Sequence, residues 1–424
     1  MSFFRIPNFS RHVRPTGRGS WQATSVKITQ WIYFRRYSYE AEGIKKSRGL
    51  WSFTKKWTIS LPIGIGVSLI TILQLKYFWG HHSSTNGEVK RPINNLMVEC
   101  YCCLPLRITS RIFGWFASVE LPQSFRPFVY NLYAKTFHAN LQEIDCDLKS
   151  FPSLVDFFVR PLKHDARPIA QNTNLVSPVD GTVLYFGPVN SCRVEQVKGV
   201  TYNLRHFLGD AKSSTLSSKT EFCNEENDSY LKSLLKNSKN KLYQLTIYLA
   251  PGDYHRFHSA ADWKINFRRH FQGKLLSVNP KIASWLPDLF AINERVVYLG
   301  EWTGGFMAYA AVGATNVGSI RVFCDDNLVT NKKKWPKDKL WEDTMFEYMK
   351  IKKGQLFGEF RMGSTIVLLF EAPENLKLCI AQGQSIRMGQ ALTERPISHY
   401  STTFNHLNEC ALEATKLINI GVYN

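Results

Sequence analysis

Three short segments of this 424-residue chain combine residue types that could do chemistry. Residues 177–182 (SPVDGT) place Asp180 in a turn, residues 253–258 (DYHRFH) hold two histidines, and residues 354–365 end in Gly-Ser-Thr before an apolar run. A serine, a histidine and an aspartate can supply a nucleophile, a base and an acid that orients the base. Ser364 and these segments are therefore candidates for one site.

The spacing within these segments excludes some chemistries and leaves others open. His255 and His258 could flank a metal ion, but their HxxH pattern lacks the glutamate of a zincin helix and no third ligand follows nearby. Ser364 is not part of a GxSxG nucleophile elbow. Its hydroxyl could instead attack the preceding carbonyl, because Gly363 has no side chain to block the approach. Ordinary turns use the same residues, so the pattern alone does not distinguish a catalytic site from a turn.

Strand-like runs position these segments from about residue 174 onward. Runs such as KLYQLTIYLA and STIVLLFEA are rich in β-branched and aromatic residues, with glycines between them. In the first run, apolar residues alternate with polar ones, which predicts a half-buried strand. The alternating residues are Leu245, Thr246, Ile247, Tyr248 and Leu249.

Composition divides this part of the chain further. Residues 166–393 are predicted to form a β-rich catalytic domain. Within it, residues 213–240 are rich in Ser, Asn, Lys and Glu, which predicts a polar surface insertion. Residues 394–424 carry no motif and are predicted to form a C-terminal tail.

More than half of the net charge of +19 lies at the N-terminus. Residues 1–57 contain twelve Lys or Arg and only two acidic residues, so they alone carry +10. An Arg-rich, Ser-rich and acid-poor leader is typical of a mitochondrial transit peptide, and a disordered basic tail is the alternative. The other 367 residues carry only +9 and show no zinc-finger or RNA-recognition motif, so no nucleic-acid partner is expected.

Residues 58–76 predict a single transmembrane helix. They begin with 18 uncharged residues, TISLPIGIGVSLITILQL, which can span most of the hydrocarbon core of a bilayer. A buried helix of a soluble protein is the alternative. Lys and Arg are in excess before this run, so the positive-inside rule keeps the N-terminus in the matrix or cytosol while the bulk of the chain crosses. Residues 77–91 then form a polar linker.

Residues 92–165 interleave apolar, aromatic and basic positions in a helical pattern. Such helices suit an anionic membrane surface, and a plain core helix with exposed arginines is the alternative. We therefore predict a helical lipid-docking region here. The residues that suggest it are Arg107, Arg111, Arg126, Trp115 and Phe128.

The combination of motifs resembles the phosphatidylserine decarboxylases, in particular their mitochondrial inner-membrane branch. The family signature is Leu-Gly-Ser-Thr, and this chain has Met362 in place of the leucine, a volume-conserving change. The resemblance covers about residues 92–392. Its further matches are SPVDGTV at 177–183, DYHRFH at 253–258, NERV at 293–296, VGATNVGSI at 312–320 and SIRMGQAL at 385–392.

The resemblance implies a self-processing proenzyme. Ser364 would attack the carbonyl of Gly363 to give an ester, and elimination followed by hydrolysis would leave a pyruvoyl group at residue 364. The chain would split into a β chain of residues 1–363 and an α chain of residues 364–424. The two chains would remain together as a non-covalent heterodimer.

The resemblance also implies roles for the candidate residues and for the pyruvoyl group. His258 would take the serine proton, Asp180 would orient His258 and stabilise its imidazolium, and His255 would act as an acid or position the substrate. The pyruvoyl ketone would form a Schiff base with the substrate amine and serve as the electron sink, without pyridoxal phosphate or a metal. Phosphatidylserine would become phosphatidylethanolamine and CO₂ at the mitochondrial inner membrane, with the catalytic domain in the intermembrane space.

The predicted fold class is α+β, with N-terminal membrane-associated helices on a mostly antiparallel β core of two sheets. The sequence patterns around the glycines at 354–358 (GQLFG) and 387–392 (RMGQAL) resemble those of barrel-sandwich hybrids. This is an analogy of fold only. The STIVLLFEA strand should be central, so that cleavage leaves the two pieces associated. Three alternatives remain: a serine hydrolase using Ser364, His258 and Asp180, a non-enzymatic membrane-tethered scaffold, and a pyruvoyl decarboxylase of a soluble amino acid.

Overall fold

The structure is a computed structural model that describes residue 98 and residues 101–209, 224–315, 319–332, 339–394 and 396–397. The predicted transit peptide, transmembrane helix and linker (1–57, 58–76 and 77–91) all lie outside these residues. Within the described residues, no helix is both long enough and apolar enough to cross a membrane.

Helices precede the sheets, as predicted for residues 92–165. Proline occupies the residue before α1 and an early position of α2, where its fixed φ favours the first turn and no amide hydrogen is needed. The α3 helix is capped by Ser153, whose side chain accepts a hydrogen bond from the amide of Asp156. The bounds are α1 (Leu106–Ala117), α2 (Arg126–Phe137), a 3-10 turn (Leu148–Ser150) and α3 (Leu154–Phe158).

The arginines of α1 and α2 do not have the free side chains that the lipid-docking prediction assumed. Arg107 pairs with the buried carboxylate of Glu294 at 2.9 Å. Arg126 donates to the carbonyls of Leu121, at 2.9 Å, and Lys149, at 2.6 Å. These two guanidinium groups therefore hold the helices to the rest of the fold, and lipid docking by this region stays a prediction.

In the described residues, four further helices lie between the strands. They are α4 (Leu204–Leu208), α5 (Asn224–Leu234), α6 (Pro280–Ala283) and α7 (Leu289–Ile292). Helix α5 falls within the predicted insertion 213–240, so the described part of that segment includes regular structure.

All named strands pair in antiparallel fashion. They are β1 (Gly181–Pro188), β2 (Arg193–Val197), β3 (Val200–Asn203), β4 (Asn240–Leu249), β5 (Arg256–His258), β6 (Trp263–Phe271), β7 (Arg295–Trp302), β8 (Gly305–Val312), β9 (Ile320–Val322), β10 (Trp341–Ile351), β11 (Leu356–Phe360), β12 (Ser364–Pro373) and β13 (Ser385–Ile386). The main sheet has eight strands in the order β10-β6-β7-β8-β12-β4-β1-β13. A three-stranded sheet, β5-β11-β9, and a two-stranded ribbon, β2-β3, complete the described part. The α+β class with antiparallel sheets is confirmed, although the described residues form three sheets where two were expected.

Strand β4 differs from the half-buried strand that its alternation predicted. Gln244 and Thr246 on its polar face are buried, with 1% and 0% of their surface exposed. The side-chain amide of Gln244 donates to Thr246 Oγ1 at 2.8 Å and to the carbonyl of Glu195 in the β2–β3 ribbon. Because the ribbon satisfies these polar groups, both faces of the strand can be buried.

Strand β12 is central, as predicted from the STIVLLFEA run. Its ten residues pair with β4 on one side, from Ser364 opposite Leu249 to Pro373 opposite Asn240. The other side pairs with β8, from Thr365 opposite Val312. A strand with two partners and two covered faces needs apolar residues throughout, which explains why this run shows no alternation.

Glu371 anchors the far end of β12. Its buried carboxylate accepts hydrogen bonds from the backbone amides of Lys236 and Asn237 at 2.8 Å and of Phe306 at 2.9 Å. Gly305 lies so close that an added Cβ would come within 2.2 Å of the carboxylate, and its φ of +122° suits only glycine. The donors all precede residue 364, so Glu371 would tie the two expected chains together.

We predict that Glu371→Ala destabilises the protein by about 3 kcal/mol or more, because one buried and two part-buried amide donors lose their acceptor. Urea denaturation of the detergent-solubilised protein would measure the change. Glu374→Ala is the matched control, since that exposed glutamate pairs with Lys241 at the surface and its removal should change little. Equal unfolding free energies for the two variants would contradict the anchoring role of Glu371.

Candidate active site

The ends of three adjacent strands bring Asp180 and Ser364 to one edge of the main sheet. Near the end of β4, Tyr248 pairs with Thr182 on one neighbour and with Thr365 on the other. Asp180 immediately precedes β1, and Ser364 is the first residue of β12. Because only β4 separates these two strands, their backbones lie roughly 10 Å apart.

The loop that leaves β4 carries the two histidines to the same edge. Its start is fixed by Asp253, whose carboxylate accepts from the amide of Ala250 at 2.8 Å. The carbonyl of His255 accepts from the amide of Phe360 at 2.9 Å, and the amide of His258 donates to the carbonyl of Pro178 at 2.8 Å. All three segments singled out from the sequence therefore meet.

The Ser364 hydroxyl lies in an enclosed environment. The residue is fully buried, and its Oγ has no hydrogen-bond partner among the described residues. A buried hydroxyl without a partner is uncommon, because it has lost its hydration without compensation. At Gly363 an added Cβ would meet no atom within 4 Å, so space is open beside the peptide bond that joins the two residues. Serine and glycine together thus fit the precursor of a pyruvoyl group.

His258 is held as a neutral imidazole. Its Nδ1 lies 2.9 Å from the carbonyl of Gly354, which can only accept, so Nδ1 carries the hydrogen. Its Nε2 lies 3.0 Å from the hydroxyl of Tyr254 and accepts from it. Burial lowers the pKa of His258 to about 4, and the negative charge of Asp180 opposes this only weakly. Nε2 is therefore the one atom of this ring that can take up a proton.

His255 is buried more completely than His258. Its Nδ1 donates to the carbonyl of Asp253 at 2.9 Å, and its ring packs against Phe158 with the centroids 3.9 Å apart. Nε2 has no partner among the described residues. Burial lowers the pKa of His255 to about 3, so this ring is also neutral at physiological pH.

Asp180 does not orient His258 through a hydrogen bond, contrary to the expectation from the sequence. Both ring nitrogens of His258 bind other groups, whereas Asp180 is held by Arg167, with Nε 2.9 Å from Oδ1 and Nη2 2.5 Å from Oδ2. The amide of Met388 also donates to Asp180 at 2.8 Å. Arg167 in turn pairs with Glu143 at 2.8 Å. A salt-bridged carboxylate is not available to act as the acid of a triad in this arrangement.

The NERV motif holds the chain that follows β8 beside the cleavage segment. The side-chain amide of Asn293 donates to the carbonyl of Gly313 at 2.9 Å, and the amide of Gly313 donates to the carbonyl of Glu294 at 2.8 Å. Gly313 directly follows Val312, which pairs with Thr365. The motif therefore holds both backbone polar groups of Gly313 next to β12.

The two remaining motifs also border the site. At the far end of the 312–320 motif, the carbonyl of Ser319 accepts from the amide of Arg361 at 3.0 Å. In the 385–392 motif, the amide of Gly389 donates to the carbonyl of Ser177 at 2.9 Å. Both motifs thus contact the candidate segments through backbone hydrogen bonds.

Three residues at the site were missed from the sequence. Tyr254 lies inside the DYHRFH segment, so its position beside two histidines was a usable signal. Gly354 begins the candidate segment 354–365, although nothing in that segment identified it as the partner of His258. Arg167 lies outside all three segments and had no such signal, because its contact with Asp180 depends on the fold. Burial raises the pKa of the Tyr254 phenol to about 12, so it remains a hydrogen-bond donor to His258.

The described residues contain no group of three or more His, Cys, Asp or Glu that could hold a metal ion. The HxxH pair does not converge on a common point either. The Nδ1 of each histidine is bound to a backbone carbonyl, and the Nε2 of His258 accepts from Tyr254.

Comparison with known proteins identifies relatives of this chain. The family model for phosphatidylserine decarboxylase matches residues 154–394, which contain all the candidate residues. The mitochondrial phosphatidylserine decarboxylase proenzyme of Cricetulus griseus is 46% identical over 308 residues, covering 70% of this chain and 73% of that protein. Proenzyme 1 of Arabidopsis thaliana is 42% identical over 329 residues (68% and 72%), and that of Saccharomyces cerevisiae is 37% identical over 387 residues (74% and 77%).

These matches define the class of protein as a decarboxylase. The relatives are similar over both the helical region and the β-rich region, so the likeness extends beyond the short motifs. The chain belongs to the phosphatidylserine decarboxylase family.

The depressed pKa of His258 predicts acid sensitivity. The unfolded imidazole takes up a proton near pH 6.5 and the folded one only near pH 4. Between these values only the unfolded state binds the proton, so the free energy of unfolding decreases as the pH falls. In an uncleaved Ser364→Ala background, His258→Gln should reduce the slope of unfolding free energy against pH by about 1.4 kcal/mol per pH unit between pH 4.5 and 6.

Urea titrations at several pH values would measure this slope. His164→Gln is the control, because that side chain is fully exposed and should leave the slope unchanged. An identical slope with and without His258 would show that its imidazole is charged in the folded protein.

Proposed function

We propose that this chain is a self-cleaving, pyruvoyl-dependent decarboxylase that converts phosphatidylserine to phosphatidylethanolamine and CO₂. The observation that carries the proposal is the buried hydroxyl of Ser364, which has no partner among the described residues and follows Gly363 at the start of the central strand. Membership of the family and the names of the relatives support the substrate and the reaction.

The first stage is the cleavage of the chain's own backbone. Ser364 Oγ forms a bond to the carbonyl carbon of Gly363 while the C–N bond between the residues breaks, and the serine proton ends on the new amine. Loss of the Cα proton of residue 364 then breaks the Cβ–O bond and releases Gly363 as a carboxylate. Hydrolysis of the resulting dehydroalanine consumes water, releases ammonia and leaves a ketone at residue 364.

His258 is the proposed base for this stage. Its Nδ1–H is committed to Gly354, so only Nε2 can receive the serine proton, and Tyr254 would give up its hydrogen bond there. An imidazole that is neutral well below physiological pH is ready to accept a proton across the physiological range. Asp180 would act on His258 through its charge, since Arg167 and Met388 hold its oxygens.

The second stage acts on the substrate. A pyruvoyl group supplies an electron sink for the loss of CO₂ from an amino acid headgroup. In this chain, the ladders of β12 with β4 and β8 would hold residue 364 in place after cleavage. His255 is proposed as the acid or positioning residue of this stage, because its Nε2 is buried without a partner among the described residues.

The pieces formed by cleavage would stay together as an α/β heterodimer. The α chain, residues 364–424, contains β12, and both of its neighbouring strands belong to the β chain, residues 1–363. Nine of the ten pairs with β4 and all six with β8 lie beyond Ser364 and do not involve the broken bond.

The proposed location is the mitochondrial inner membrane. The relatives are named mitochondrial, and the basic leader 1–57 and the apolar run 58–76 suit import and a single membrane span. In this proposal the N-terminus lies in the matrix and the catalytic domain in the intermembrane space.

Apolar residues of α1 and α2 are proposed to dock on the lipid surface. Trp115 is 64% exposed, Phe128 is 62% exposed, and further large apolar side chains are exposed along both helices. Exposed aromatic residues are costly in water and favourable at a membrane interface. The others are Leu104, Ile108, Phe116, Val119, Phe125 and Leu132.

Ser364→Ala should abolish self-cleavage, because the variant lacks the attacking hydroxyl. Intact masses of the full chain under denaturing conditions would show two pieces for the wild type, the smaller starting with a pyruvoyl group, and one piece for the variant. A wild type that stays uncleaved and is active on an ester would instead favour a serine hydrolase.

Trp115→Glu with Phe128→Glu should raise the KM for phosphatidylserine in vesicles about tenfold or more, because two interfacial side chains no longer enter the membrane. Self-cleavage should be unchanged, since neither residue touches the site. Met345→Glu on β10 is the matched control, as it is 74% exposed outside the two helices. An equal effect of the control would argue against a specific docking face.

A further inference from the structure

Met362, two residues before Ser364, has an unusual backbone conformation. Its φ is +113°, whereas the other described non-glycine residues with positive φ have values between 49° and 59°. Those values lie in the left-handed helical region, which L-residues visit at moderate cost. A φ of +113° lies outside that region, in conformations that only glycine adopts without steric strain.

The strain at Met362 arises because the chain changes sheets within three residues. Strand β11 ends at Phe360 in the three-stranded sheet, and β12 begins at Ser364 in the eight-stranded sheet. On the first side, Phe360 pairs with Ile320. On the second side, Ser364 pairs with Leu249.

The connection itself is also held. The amide of Arg361 donates to the carbonyl of Ser319 at 3.0 Å. The side chain of Met362 is buried, with 8% of its surface exposed. With both ends and the side chain held, the connection cannot relax while the chain is intact.

Gly363 does not carry this strain. Its φ lies outside the positive range that favours glycine, and an added Cβ would meet no atom within 4 Å. Neither its own conformation nor close packing requires a glycine there. The strained residue is therefore Met362, immediately before Gly363. A methionine is destabilised in this backbone conformation, whereas a glycine would not be.

We propose that Met362 is a positioning residue for self-cleavage, whose strained backbone is relieved as the bond between Gly363 and Ser364 breaks. This inference rests on the proposed self-processing. Breaking that C–N bond replaces the direct link to β12 with a longer one through Oγ and Cβ of Ser364, so that Met362 can begin to relax. The later elimination frees the residues up to 363 from β12, and Met362 can return to negative φ. Strain accelerates the reaction only as far as it is already relieved in the transition state, where the attacked peptide carbon becomes tetrahedral.

Comparing Met362→Ala with Met362→Gly separates strain from packing. Both variants remove the same buried side chain, but alanine keeps the penalty of φ +113° and glycine does not. The full chain would be made by cell-free translation with lipid vesicles and quenched in denaturant at intervals. We expect the glycine variant to cleave about tenfold more slowly than the alanine variant.

A second readout does not depend on cleavage. In the Ser364→Ala background, Met362→Gly should have a thermal midpoint about 2 °C or more above that of Met362→Ala. This reverses the usual order, in which glycine is the less stable of the two. A purely structural role for Met362 would not produce that reversal.

The outcomes are distinct. Glycine cleaving as fast as alanine, or glycine being the less stable variant, would overturn the role of strain while leaving self-processing intact. A wild type that never cleaves would overturn the proposed function itself, and the role of Met362 with it.

Discussion

The pairing of β12 on both of its edges is the constraint on which the rest of the structure depends. It places Ser364 at the start of a strand that can shift neither toward β4 nor toward β8. It also separates the chemistry at one end of the strand from the anchor at the other, where Glu371 binds the backbone of preceding segments. Cleavage of the peptide bond before Ser364 would leave β12 paired with β4 and β8 in the sheet.

Burial is the second determinant of the site. It lowers the pKa of both histidines, so the rings are neutral, and backbone carbonyls then select which nitrogen carries the hydrogen. A neutral ring with a fixed tautomer offers Nε2 as the single basic atom. The carboxylate of Asp180 pairs with Arg167 and not with an imidazolium, which distinguishes this arrangement from a hydrogen-bonded serine–histidine–aspartate triad.

The helical region combines two tasks on different faces. Arg107 enters the body of the protein and binds Glu294, a residue whose carbonyl also holds the peptide of Gly313 next to β12. Trp115 and Phe128 face outward. A basic side chain therefore attaches the helical region to the body of the protein, and apolar side chains are exposed. The sequence had suggested instead that the basic residues face an anionic membrane.

The sequence by itself determined the family, the α+β class, the central position of β12 and the segments that meet at the site. These depend on local composition and on motifs, which are properties of short stretches. Only the tertiary structure decided that Arg167 binds Asp180, that Gly354 and Tyr254 bind His258, that the polar face of β4 is buried and that the strain lies at Met362. Apart from the local contact between Tyr254 and His258, each of these depends on segments that are separated in the chain. Such a hydrogen bond or an imposed φ is set by where the segments meet in the fold and not by the neighbours in sequence.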